Sequence, residues 1–142
     1  NELKMTIPAL SVNEGSCRAI IADFCAKLDP NIEELADIKC AVSEAVTNCI
    51  VHAYAGRGGA IYITVGLYEN RKICIQIRDR GCGIPDVRAA RQPLFTTDAA
   101  GERSGMGFTV MESFTDGVRV RSKVGAGTTV VLFKQLSDRA PI

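Results

Sequence analysis

Between Ile32 and about Tyr54 one apolar stripe, Ile32, Leu35, Ile38, Val42, Ala45, Val46, Cys49, Ile50 and Ala53, recurs at helical spacing. Directly after it the period drops to two. Ile61, Ile63, Val65 and Leu67, then Ile73, Ile75 and Ile77, alternate on either side of "ENR", the signature of a hairpin with one apolar face. A long helix followed by a hairpin is not the strand-helix-strand alternation that a doubly wound parallel sheet needs. The pattern predicts an α+β chain: a two-layer α/β sandwich with helices on one face of a mixed, mostly antiparallel sheet.

The flanking segments extend this reading. Leu3, Met5 and Ile7 alternate up to Pro8 and predict a short first strand at an edge. Cys17, Ile20, Ile21, Phe24, Cys25 and Leu28 predict an amphipathic helix that Asp29 and Pro30 close, with Ser11 and Glu14 spaced as a capping box. A short helical piece is expected around Asp86 to Arg91 and another from about Met106 to Phe114, separated by the loop "PLFTTDAAGERSG". A loop of that length in a compact domain usually serves a function or is disordered. "GVRVRSK" and "TTVVLFK" flank the turn "VGAG" as a second hairpin, and "LSDRAPI" reads as a frayed tail. Residues 1–142 are expected to form one domain, with neither repeats nor low-complexity segments.

Composition narrows the function classes. Seventeen Lys and Arg against sixteen Asp and Glu leave a net charge of +1, too little field to point to direct nucleic-acid binding. No basic segment followed by an apolar run opens the chain, and no stretch approaches the ~20 apolar residues of a membrane helix. A cytoplasmic protein is expected. The six cysteines, at 17, 25, 40, 49, 74 and 82, form no C-x-x-C, and the single His52 completes no zinc-like cluster. Reduced thiols that pack as small hydrophobes are the expected state.

Two regions can carry chemistry. On the long helix Glu44 and Asn48 are four residues apart and so are neighbours on one face, with His52 continuing the row. Such a row can be a solvated polar face. Yet Ser43, Thr47 and Asn48 are mediocre helix formers, and a surface chosen for stability would favour Lys, Glu or Arg. As a metal trio the row is weak for a zinc-like ion, whereas Asn48 suits Mg²⁺, which takes one or two protein oxygens and fills its shell with phosphate and water. The second region is glycine-rich: Gly81-Cys-Gly83 after the acid Asp79, Gly105-Met-Gly107 at a helix start, and Gly125-Ala-Gly127 before a strand. "SGMGF" would turn free N–H groups and a positive helix end toward an anion. It lacks the G-K-[ST] of a Walker loop, and the strand and third glycine of a Rossmann fingerprint.

Together "SEAVTNCIVHAY", "DRGCGIPD", "ERSGMGF" and "GTT" have the order and spacing of the nucleotide boxes of the gyrase/histidine-kinase ATPase superfamily. With "ARQPLFTTDAAGERSGMGFTVMESF" in the lid, the chain resembles the sporulation anti-sigma F factors, serine kinases of that superfamily, over nearly its whole length. The resemblance implies the Bergerat ATP-binding fold, with ATP and Mg²⁺ as cofactors. It assigns Asp79 to the adenine amino group with Gly83 allowing close approach, Thr128 to the same pocket, Asn48 to Mg²⁺, and Glu44 to the general base that deprotonates an incoming hydroxyl. Gly105, Met106, Gly107 and Phe108 would wrap the phosphates, a lid from about Pro93 to Ser104 would close over them, and Arg103 would balance γ-phosphate charge or meet a partner.

Implied partners are a sigma factor, a small anti-anti-sigma protein phosphorylated on serine, and a second copy of the chain in a homodimer. Arg18 matches a partner-contacting position, although an arginine on the flank of an amphipathic helix can equally be solvated or snorkelling. His52, Cys49 and Cys82 are read as packing residues. The stress-response type of anti-sigma kinase shares the nucleotide boxes, and an ATP-gated sigma-binding module without significant transfer is the alternative from another class. A histidine kinase core would need room for a phosphoacceptor hairpin that 142 residues do not leave.

Overall fold

A computed structural model describes residues 1–92 and 107–138. Strand β1 (Glu2–Pro8) leads through a 3₁₀ turn into α1 (Glu14–Cys25), and α2 (Ile32–Asn48) runs on into a π-helical turn, Cys49–Ala53. Then come β2 (Ala60–Tyr68), β3 (Lys72–Arg78), the short α3 (Val87–Ala90), α4 (Gly107–Phe114), β4 (Gly117–Lys123) and β5 (Gly127–Gln135). The strands are ordered β1-β2-β3-β5-β4 and every pair is antiparallel, so the mostly antiparallel expectation resolves to a wholly antiparallel sheet. β1 is an edge, as its alternation predicts.

The period-two pattern decides which side chains meet the helices. Ile61, Ile63 and Val65 on β2, Ile73, Ile75 and Ile77 on β3, and Val130 and Leu132 on β5 are buried in one core with Cys17, Ile21, Ile38, Val42, Val46 and Met111. Burying a side chain of this size is worth roughly 1.5–3 kcal/mol, so a slip of one residue in register, which would turn the row to the opposite face, is strongly disfavoured. On that opposite face Arg78 and Arg80 stack on the Tyr62 ring and Arg119 stacks on Phe133. Among the described residues no helix is long and apolar enough to cross a membrane.

Local expectations fail in four places. The capping box at Ser11 and Glu14 does not form: the residue before α1 is Asn13, it makes no side-chain cap, and the Glu14 carboxylate is drawn to Arg18 by a charge-assisted bond. The box stands instead at α2, where Asn31 Oδ1 accepts from Glu34 N at 2.7 Å and Glu34 Oε1 accepts from Asn31 N at 3.0 Å. The apolar stripe of α2 starts later than its sequence suggests, because Ile32, in the first turn, is 91% exposed; Ile20 on α1 is also exposed. Of the tail expected to fray, residues 139–142 lie outside the described residues, and the chain does not fray from Leu136. That residue is buried, its N–H donates to Arg71 O at 3.0 Å, and Ser137 N donates to Glu34 Oε2 at 2.7 Å, so apolar burial and backbone hydrogen bonds dock the chain here.

Candidate functional site

Helix α2 carries Glu44 and Asn48 one turn apart, both half-buried, and α4 packs across it. The approach is close because α4 begins with a glycine. A methyl group at Gly107 would stand 3.2 Å from Asn48 Oδ1, 3.3 Å from Asn48 Nδ2 and 3.6 Å from Glu44 Oε2. The first-turn N–H groups of a helix have no acceptor within it, so α4 sets donors beside an amide and a carboxylate. Phe108, next along, is buried in the core and anchors this end of α4. Gly105, Met106, Arg103 and the lid expected over 93–104 lie outside the described residues.

His52 does not continue the row of Glu44 and Asn48. The chain passes into the π-helical turn at Cys49, whose wider winding ends the i, i+4 register; His52 is exposed there, and its carbonyl accepts from the Cys82 thiol at 3.5 Å. No group of three His, Cys, Asp or Glu among the described residues is placed to hold a metal ion. The donors that do converge, an amide oxygen and a carboxylate under the cleared space of Gly107, are hard oxygens of the kind that suits Mg²⁺ beside phosphate.

Asp79 leaves the end of β3 toward the helix side and is only 5% exposed. Its Oδ1 accepts from Gly81 N at 2.9 Å and from Thr128 N at 3.1 Å. The Cys49 thiol lies close enough to this carboxylate to feel its charge. Burial, reinforced by that negative neighbour, pushes the Cys49 thiol pKa far up, so it stays protonated. Cys49 packs in the core, as expected. Cys82, expected to pack, is exposed, because its place in the turn points the thiol at the carbonyls of His52 and Gly83 and away from the core.

The turn after Asp79 is built into the protein from both sides. Arg80 N donates to the Tyr54 hydroxyl at 2.7 Å, Cys82 N to Ala53 O at 2.9 Å, and Ile84 N to Ser122 Oγ at 2.7 Å. A methyl group at Gly81 would meet Ala53 O at 2.3 Å, and one at Gly83, where φ is +78°, would meet Lys123 O at 2.3 Å. These glycines admit the protein's own backbone. Thr128, 7% exposed, completes the arrangement by sharing a hydrogen bond of 2.8 Å between its Oγ1 and Ser122 Oγ.

Arg18 is neither purely solvated nor snorkelling. Its Nη1 donates to Glu14 Oε1 at 3.1 Å and to Ser43 Oγ at 3.2 Å, and the Ser43 hydroxyl donates to Glu14, tying α1 to α2 one residue before Glu44. Sequence reasoning missed Tyr54 and Ser122. Ser122 left a signal, for it shares the inward face of its strand with Val118 and Val120. Tyr54 left none, since its partners are distant backbone groups.

Over residues 7–134 the chain matches the histidine kinase-like ATPase domain family. It is 51% identical over 138 residues to the anti-sigma F factor of Bacillus licheniformis, covering 96% of this chain and 94% of the relative. To the anti-sigma F factor of Priestia megaterium it is 48% identical over 139 residues, covering 97% and 95%. Among solved structures, the RsbU and RsbW domains of a Mycobacterium tuberculosis protein superpose with a TM-score of 0.72 at 24% identity, over 99% of this chain and 34% of that one. The catalytic domain of the histidine kinase ThkA gives 0.57 at 16% identity, over 96% of both chains. At these identities the structural likeness establishes the fold.

Proposed function

The chain belongs to the histidine kinase-like ATPase domain family and, within it, to the anti-sigma F factors, and from that premise we propose that it is an ATP- and Mg²⁺-dependent protein-serine kinase that also binds and inhibits a sigma factor. The observation that carries the kinase reading is the convergence of Glu44, Asn48 and the Gly107 end of α4. Residues 1–142 would act as one ATP-binding domain in the cytoplasm, as a homodimer, with a sporulation sigma factor and a small anti-anti-sigma protein as partners. Identity near one half to anti-sigma F factors favours this over the stress-response type.

In this reading Asp79 accepts the adenine amino group, and Thr128 holds Asp79 in place through its N–H. Asn48 would hold Mg²⁺, which when bound neutralises phosphate charge. Backbone N–H groups of Gly105, Met106, Gly107 and Phe108 would wrap the phosphates, and Arg103 and the lid over 93–104 would add charge and exclude water. Glu44 takes the proton of the substrate serine hydroxyl. The serine oxygen forms a bond to the γ-phosphorus as the bond from that phosphorus to the β-γ bridging oxygen breaks, and ADP leaves with the electron pair. Most of the rate gain would come from positioning and charge neutralisation. Arg18, whose side chain is part-exposed beside Glu14 and Ser43, would meet a partner protein by exchanging Glu14 for a partner's carboxylate.

The test is incubation of the chain with labelled ATP, Mg²⁺ and its cognate anti-anti-sigma protein. Phosphoserine should form with the parent, and Glu44→Gln should lose at least about a hundred-fold in rate while retaining ATP. Sigma-factor capture with no phosphoserine would replace the kinase by an ATP-gated binding module, and undiminished transfer in Glu44→Gln would remove Glu44 from the mechanism.

A further inference from the structure

We propose that Tyr54 and Ser122 are positioning residues that set base selectivity, by clamping the two ends of the turn that presents the Asp79 carboxylate. The inference rests on the reading of Asp79 as the group that accepts the adenine amino hydrogen.

The clamps are physically separate. Tyr54, just past the π-helical turn of α2, accepts from Arg80 N at 2.7 Å and donates to Ala60 O at 2.6 Å, so its hydroxyl ties the start of the turn to the start of β2. Ser122, on β4, accepts from Ile84 N at 2.7 Å and hydrogen-bonds Thr128 Oγ1 at 2.8 Å, so it ties the far end of the turn to the residue whose N–H holds Asp79 Oδ1. The fold makes room for the first clamp at Gly59. A methyl group there would lie 2.4 Å from Tyr54 Cε1, inside the ring's own volume. The glycines of "AGRGG", which carry no chemistry of their own, thus include one that the Tyr54 ring requires.

A carboxylate has about four acceptor positions. On Asp79 the N–H groups of Gly81 and Thr128 both engage Oδ1, so a ligand donor would be met by Oδ2. Adenine offers an amino donor at its sixth position and guanine a carbonyl acceptor, which would leave two acceptors facing each other. Discrimination of that kind holds only while the carboxylate cannot turn away, because a site built to receive a donor rejects an analogue by leaving a buried polar group unpaired. With Arg80 N and Ile84 N both clamped, the backbone on each side of Gly81 to Gly83 has no freedom to carry Asp79 elsewhere. Glu44 and Asn48 sit on α2, outside the turn, so loosening it should change nucleotide binding and leave the chemical step intact.

The experiment compares ATP and GTP binding, transfer rate at saturating ATP, and thermal melting for the full chain and for Tyr54→Phe, Ser122→Ala and Asp79→Asn. Tyr54→Phe keeps the ring and removes only the hydroxyl, so it carries the test even if Ser122→Ala unfolds. Each clamp variant is expected to weaken ATP about three- to ten-fold, the span of one lost hydrogen bond, with GTP unchanged and the ATP/GTP preference reduced in proportion. Transfer at saturating ATP should stay within about two-fold of the parent. Undiminished ATP binding by Asp79→Asn would overturn the base-reading assignment itself. Loss of ATP by Asp79→Asn, with Tyr54→Phe keeping the parental ATP/GTP preference or showing its effect only in melting or in transfer rate, would overturn the clamp inference and leave the base-reading assignment standing.

Discussion

Gly107 packs against Asn48 so closely that one added methyl group would stand 3.2 Å from the Asn48 amide oxygen. The first residue of α4 and the last of α2, 59 positions apart in sequence, thereby define one small space that also touches Glu44.

Gly107→Ala should therefore separate stability from binding. Alanine in a helix is worth up to about 1 kcal/mol over glycine, so the melting temperature should hold or rise. The methyl group displaces the Asn48 amide by a few tenths of an ångström, and Mg²⁺-dependent ATP affinity should fall about ten-fold. Thermal melting checks the first, and calorimetric titration with and without Mg²⁺ checks the second. Equal ATP affinity in parent and variant would mean that this space is not part of the nucleotide site.

Asp79→Asn should weaken ATP binding by about ten- to a hundred-fold with little loss of fold. The amide oxygen can still accept from Gly81 N and Thr128 N, which preserves the turn, but an NH₂ group replaces the acceptor that a ligand amino group needs. Circular dichroism and nucleotide titration on one sample distinguish the two effects.

Asn31→Ala tests a structural element remote from this site. It removes the acceptor for Glu34 N and one half of the reciprocal cap of α2, and should cost about 1 kcal/mol in urea unfolding. ATP affinity should remain parental.

Alkaline pH should destabilise the fold through its buried thiols. Burial, and secondarily the Glu14 charge, pushes Cys17 from 9.0 to about 11, and burial pushes Cys25 to about 12. These acids are raised in the folded state, so their stabilisation is complete below pH 9 and is lost as pH climbs from there through about 11 and 12. Within that window each thiol removes about 1.4 kcal/mol per pH unit. Urea midpoints against pH should fall less steeply, by one proton, in Cys25→Ala. Exposed Cys40 and Cys82 should alkylate in the native protein, while Cys17, Cys25 and Cys49 should react only after unfolding.

How far the sequence could be read depended on the range of the interactions involved. The alternation of β2, β3 and β5 placed Ile61 to Leu132 on one face because a strand sends successive side chains to opposite sides, a property of the local backbone. The i, i+4 spacing that makes Glu44 and Asn48 neighbours is equally local. The failures were competitions that local chemistry could not settle. Glu14 had a capping role open to it and was taken by Arg18 and Ser43, and Leu136 was taken into the core by contacts from other segments.

By itself, then, the sequence determined the order of helices and strands, the inward face of each strand, and the residue types able to read a base or hold a hard cation. Only the tertiary structure decided that Gly107 lies over Asn48, that Thr128 N reaches the Asp79 carboxylate, and that Tyr54 and Ser122 grip the Asp79 turn from opposite sides. Periodicity reports which face a residue is on, because it arises within one element. A hydrogen-bond partner is chosen after the chain has closed on itself, when each buried N–H and C=O must find an acceptor or donor among whatever backbone the packing has brought within reach.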